Sequence, residues 1–98
     1  MALTVESIVS VSEDQVHTTV GGEAVILGLR DGMYYGLDEV GATVWAILAT
    51  PTRVSAVVAG VVAEFDVEQE TAERDVLALL EELRARALIR VEERNGSR

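Results

Sequence analysis

The sequence predicts an α+β domain, strands first and helices after. Three observations lead there. Residues 23–37 alternate apolar side chains with a period of two on either side of Arg30-Asp31-Gly32, apolar residues recur at helical spacing from Val40 onward, and the change of period falls at Asp38. The expected architecture is a three-stranded antiparallel sheet followed by three helices covering one of its faces. Three short helices beside a sheet also make the layout winged-helix-like.

Each element has its own justification. Val5 to Ser12 and Gln15 to Val20 are short, rich in β-branched residues and bounded by turn-formers. The first is either a further strand or an ordered arm, and the residues do not decide between them. Val16 to Val20 is the better partner for the hairpin, because Gly21-Gly22 turns the chain directly into Glu23 to Leu29. Arg30-Asp31-Gly32 makes the next turn and Met33 to Leu37 the third strand, so consecutive strands are neighbours and the first and third are edges. Asp38 has a short side-chain oxygen suited to accept from the first free N–H groups of a helix carrying Val40, Val44, Ile47 and Leu48.

Thr50-Pro51-Thr52 breaks that pattern, after which Val54, Val57, Val58, Val61, Val62 and Phe65 form one helical stripe. Valine disfavours helix by a few tenths of a kcal/mol per residue, roughly, yet the length and period of the stripe overrule propensity. Asp66-Val67-Glu68-Gln69 has the acidic character of a helix start, and a third helix is expected from about Glu70 to Ala87, with Ala72, Val76, Leu79, Leu80 and Leu83 inward. Leu88 to Val91 fits a short closing strand. Trp45 and Phe65 are the largest core candidates.

Length and composition narrow the function. Ninety-eight residues make one domain, expected over residues 1–95, and Gly96-Ser97-Arg98 resembles a cloning remnant expected to be disordered. Apolar residues at 49% argue against disorder, and no apolar run approaches the ~18 residues of a membrane span. The start of the chain lacks the basic and apolar segments of a signal peptide, so a cytoplasmic location is expected. Seventeen acidic residues against eight arginines give a net charge of -9, which repels a phosphate backbone. Arg84, Arg86, Arg90 and Arg94 are interleaved with Glu81, Glu82, Glu92 and Glu93, the pattern of a charge-balanced solvated face rather than a nucleic-acid patch.

Catalytic chemistry has little to work with. There is no cysteine, and the one histidine, His17, reads as a half-exposed strand residue without a carboxylate nearby in sequence. Glu68, Glu70 and Glu73 begin a helix and do not have metal-ligand spacing. Glycines 28, 32, 36 and 41 match neither a Walker loop nor a dinucleotide fingerprint, so no cofactor is expected. What remains is the strand Met33, Tyr34, Tyr35, Gly36, Leu37, uncharged and without proline. As a sheet edge it is either a plain amphipathic border or an open row of donors and acceptors able to pair with an incoming peptide. Tyr34 and Tyr35 point to opposite faces, and Gly36 allows close backbone approach.

From Glu23 to Ile89 the chain resembles the PqqD-like proteins, also called RiPP recognition elements. The resemblance rests on the order of AVILGLRDGMYYGLDEVGATVWAIL, then VVAGVVAEFDV, then ERDVLALLEELRARALI. Where that family usually has asparagine after the strand-ending leucine, this chain has Asp38, an equally good cap. The resemblance implies a non-catalytic module that binds the leader of a ribosomally made precursor peptide as a strand beside Met33 to Leu37 and against the third helix. Residues implied on the helix side are Ala72, Asp75, Val76, Leu79 and Leu83. A chain of this size looks most like the free-standing proteins of lasso peptide clusters, which hand the precursor to a leader peptidase. The leader peptide and that peptidase are the implied partners, with the ring-forming cyclase as a further candidate.

Two other classes compete. A winged-helix DNA-binding regulator would need polar and cationic readers on its third helix, where Glu73, Asp75, Glu81 and Glu82 stand instead. An acidic carrier protein would need a serine in an Asp-Ser-Leu setting, which Ser7, Ser10, Ser12 and Ser55 lack.

Overall fold

A computed structural model describes residues 2–92; the expected disorder of residues 96–98 lies outside them. The elements in order are β1 (Ile8–Val11), β2 (Gln15–Val20), β3 (Glu23–Gly28), β4 (Tyr34–Leu37), α1 (Glu39–Ile47), β5 (Thr52–Arg53), α2 (Val54–Glu64), α3 (Gln69–Ala85) and β6 (Ile89–Glu92). The α+β class and three helices are as expected, but there are two antiparallel sheets rather than one, ordered β2-β3-β4 and β5-β1-β6.

The meander β2-β3-β4 forms where the alternation placed it. Gly21 and Gly22 take φ values of 59° and 87°, the left-handed pair that a two-residue hairpin turn requires. At the second turn Asp31 Oδ1 accepts the N–H of Met33 at 3.0 Å, so Met33 belongs to the turn and the strand begins at Tyr34. Leu29 likewise falls beyond the end of β3.

Register decides which side chains reach the core. His17, Ile26 and Tyr35 lie across from one another, as do Thr19, Ala24 and Leu37, and the buried Ala24, Ile26 and Leu37 mark the helix-facing side. The opposite rows are Val16, Leu27, Tyr34 and Thr18, Val25, Gly36. In β3 the bulkier alternate set, Val25 and Leu27, therefore points away from the helices.

The second sheet is assembled from distant segments. β1 pairs with β5 through Ile8–Arg53 and Val9–Thr52, and with β6 from Ile8–Glu92 to Val11–Ile89. Val5 to Ser12 thus contains a strand, and the closing strand after the third helix is present. Val9 has no exposed surface and belongs to the same core cluster as Ile89, Val54 and Leu83.

Helix ends follow local chemistry. Asp38 caps α1, its Oδ1 accepting from the N–H of Gly41 at 2.9 Å. α2 has no side-chain cap; instead the first N–H groups of Val54 and Ser55 donate to the carbonyls of Ser7 and Val5 at 2.8 and 2.9 Å. The N-terminal segment therefore does the capping, with Leu3 buried and its N–H donating to Glu81 on α3 at 2.8 Å. α3 ends two residues short of the expected Ala87, because Ala87 takes the left-handed φ of 61° and the N–H of Leu88 donates to the carbonyl of Leu83. Trp45 is buried as expected, whereas Phe65 is only partly buried.

Candidate functional site

The border of β4 is open. Among the described residues β4 pairs with β3 and with no other strand, and β1 pairs with β5 and β6 instead of covering it. The N–H of Gly28 donates to the carbonyl of Met33, so by antiparallel alternation Tyr35 and Leu37 exchange backbone bonds with β3 while Tyr34 and Gly36 turn their backbone groups to the free side. A Cβ built on Gly36 meets nothing within 4 Å, so the approach to that backbone is clear.

The two tyrosines divide as expected. Tyr34 stands exposed on the outer face; Tyr35 is half-buried on the helix side. The Tyr35 hydroxyl donates to Glu82 Oε1 on α3 at 2.7 Å, and the Arg86 guanidinium lies over its ring, 4.8 Å from the centroid. Burial, and then the Glu82 carboxylate accepting its proton, push the Tyr35 phenol up to about 12. β4 and α3 are thereby linked across the groove floor.

Next to this link is an apolar hollow of about 120 Å³. Val40 and Val44 of α1 form one wall and Val61, Phe65 and Val67 another. α3 contributes Ala72, Asp75, Val76 and Leu79. Val40 lies three residues beyond the end of β4, in the first turn of α1.

Of the residues expected on the groove, Tyr34, Tyr35 and Gly36 lie on the β4 edge, and Leu37 is buried beneath it. Met33 is exposed in the preceding turn. Ala72, Asp75, Val76 and Leu79 do meet in one place, Ala72 and Val76 as a buried floor. Leu83 differs: it has no exposed surface and packs in the core, although it follows Glu82 directly in α3. Sequence reasoning did not single out Val40, Val44, Val61, Phe65, Val67, Glu82 or Arg86 for the groove. The valines share one helical period whether they line a core or a hollow, and nothing local distinguishes the two. The spacing of Glu82 and Arg86 on α3 was the one available signal.

The meander also carries an unusual outer surface. Among the described residues, every exposed large hydrophobic side chain, Val16, Val20, Val25, Leu29, Met33 and Tyr34, belongs to this sheet or its turn. Val16, Val25 and Tyr34 share its outer face, and exposed apolar side chains gathered on one face mark a candidate contact surface. No group of three or more His, Cys, Asp or Glu able to hold a metal ion occurs among the described residues. No helix among them is long and apolar enough to cross a membrane.

An open strand edge tied through Tyr35 to a helix, and an apolar hollow bordered by that helix, are the features to set beside known proteins. Residues 23–89 match the family model described as coenzyme PQQ synthesis protein D (PqqD), and the chain belongs to that family. Among solved structures it is similar to TbiB1 in complex with the TbiA(beta) leader peptide, at 32% identity and a TM-score of 0.76, over 89% of this chain and 99% of that one. No curated protein matches the chain.

Proposed function

We propose that this protein is a non-catalytic, cytoplasmic adaptor that binds the leader segment of a ribosomally made precursor peptide. The observation that carries the reading is the unpaired backbone of Tyr34 and Gly36 on a strand that Tyr35 ties to α3, the helix whose earlier turns border an apolar hollow. A guest strand on β4 gains main-chain hydrogen bonds from those residues, and alternate side chains drop toward α3 and the hollow. Membership of the PqqD family and the likeness to TbiB1, which was solved with a leader peptide, both support it.

The guest-binding residues in this reading are Tyr34, Tyr35 and Gly36 on the strand side and Ala72, Asp75, Val76 and Leu79 on the helix side. Met33 and Leu37 frame the edge, and Leu83 supports it from the core. The pathway is lasso peptide biosynthesis, and the loaded adaptor presents its guest to a leader peptidase, with the cyclase as a later partner. The apolar outer face of the meander supports a protein partner of this kind, since Tyr34 lies on both that face and the guest edge. A winged-helix regulator has weaker support, because the outer residues of α3 include Glu73, Asp75, Glu81 and Glu82 on a chain of net charge -9.

Titrating a fluorescently labelled leader peptide, beginning with the TbiA(beta) leader and then the precursor from the native host, tests the reading. Micromolar or tighter binding is expected. Tyr34→Pro removes an outward-facing donor and leaves the β3 ladder intact, so it should weaken binding at least tenfold with an unchanged circular dichroism spectrum. Equal binding by that variant would defeat strand addition.

A further inference from the structure

Asp75, Leu79, Glu82 and Arg86 follow one another at spacings of four, three and four, so they form a single stripe along α3 and its C-cap. Asp75 and Leu79 border the hollow, whereas Glu82 and Arg86 meet Tyr35. The groove floor therefore passes from apolar to charged within a helical turn.

The carboxylates near the charged end already have donors. Glu82 takes the Tyr35 hydroxyl at 2.7 Å, and Asp31 takes the backbone N–H of Met33 at 3.0 Å. Arg86 is the unmatched group. Its Cζ lies over the Tyr35 ring, and no carboxylate among the described residues comes within 4.0 Å of it. A ring face attracts the charge but does not replace the carboxylate acceptors that five N–H donors call for, so donors are left to water. A strand laid beside β4 would cover them, and donors cut off from water without an acceptor weaken binding.

Building on the leader-binding reading, we propose that Arg86 is a specificity-determining residue that selects an acidic side chain in the guest peptide. Leu79 and Arg86 are seven residues apart on α3, about 10 Å of helix rise. That distance is roughly three residues of strand, so the acidic side chain falls two or four positions from the apolar one that enters the hollow, on the same face of the guest. A basic side chain there would face the Arg86 charge, with one remaining Glu82 oxygen as its acceptor. The overall acidity of the chain acts at longer range and is screened within about 10 Å at ordinary salt, so the local contact decides.

Random peptides about a dozen residues long, displayed on phage and selected on the intact protein, test this without knowledge of the natural guest. Binders enriched by the wild type should share Asp or Glu two or four positions from an apolar residue. Selection on Arg86→Glu should enrich Lys or Arg at that position. Arg86→Gln should bind the wild-type binders about tenfold more weakly, with an unchanged circular dichroism spectrum. Enriched binders without an acidic preference, or a preference that survives in Arg86→Glu, would overturn the role of Arg86 and leave peptide binding standing. A selection that enriches nothing would refute the leader-binding reading, and the role of Arg86 with it.

Discussion

The meander β2-β3-β4 joins strands that follow one another in the chain, whereas β5-β1-β6 joins Ile8 near the start to Glu92 near the end of the described residues. The meander is held by tight turns and keeps two borders, β2 and β4, with an apolar outer face. The other sheet ties the N-terminal segment to the entrance of α2 and the exit of α3, and its β1 strand is enclosed on both sides. One sheet leaves an open border and exposed apolar side chains, and the other is a clasp that joins the two ends of the described chain. A chain this small has few residues to spare, so the division separates where mutation should cost stability from where it should cost binding.

The same substitution made in both sheets tests the division most strongly. Val9→Asp puts an unpaired carboxylate at a fully buried position of β1 and should destabilise by about 4 kcal/mol or more, enough to unfold a marginal domain. Val16→Asp falls on the exposed outer face of β2 and should cost about 1 kcal/mol or less. Urea denaturation followed by the fluorescence of the lone tryptophan, Trp45, reads both. Similar losses in the two variants would mean that the meander is as much a part of the core as the clasp.

A second variant sharpens the contrast within the groove. Val40→Asp places a charge in the wall of the hollow at a half-buried site, so it should lower leader affinity at least tenfold while costing stability only about 1–2 kcal/mol. Calorimetric titration beside a urea melt separates the two effects. Affinity that falls only in proportion to unfolding would make the hollow a packing defect rather than a subsite.

The two sheets also differ in how far the residues foretell them. Period-two alternation, the Gly21-Gly22 turn and the Asp38 cap all act between near neighbours, so the meander and the start of α1 are legible from local chemistry. The clasp is not, because β5 is two residues long and the pairing of Val9 with Thr52 and Val91 depends on where three helices deliver the chain. Val54 and Ser55 illustrate the same limit: their capping carbonyls come from Ser7 and Val5, which no helix-start rule anticipates. On the groove, the strand side was readable as an uncharged edge. The hollow was not, since Val40 and Phe65 obey the same helical period as the core valines and only tertiary packing leaves them a free side.

The end of α3 gives a gentler test of the clasp. Ala87 takes a left-handed φ of 61° to turn the chain from α3 into β6, a conformation that costs an L-residue about 1–2 kcal/mol and glycine much less. Ala87→Gly should therefore stabilise the protein by about 0.5–1 kcal/mol, seen as a higher urea midpoint with an unchanged slope. A loss of stability would mean that the Ala87 methyl packs more than its backbone strains.

The smallest effect expected is the pH dependence carried by Tyr35, which links the meander edge to α3 by a hydrogen bond to Glu82 and lies under the Arg86 guanidinium. Its phenol ionises near 10 in an unfolded chain and at about 12 in the fold, raised first by burial and then by the Glu82 carboxylate that accepts its proton. The fold therefore favours the neutral phenol. Its contribution is fully present below pH 10 and is lost as pH rises through 12. Wild type should lose stability over that interval relative to Tyr35→Phe, which has no proton to give up. Urea midpoints measured from about pH 8 to about pH 12 decide the matter. Parallel curves for wild type and Tyr35→Phe would show that the bond to Glu82 adds nothing to the fold, and that Tyr35 is held against α3 by its packing and the Arg86 cation.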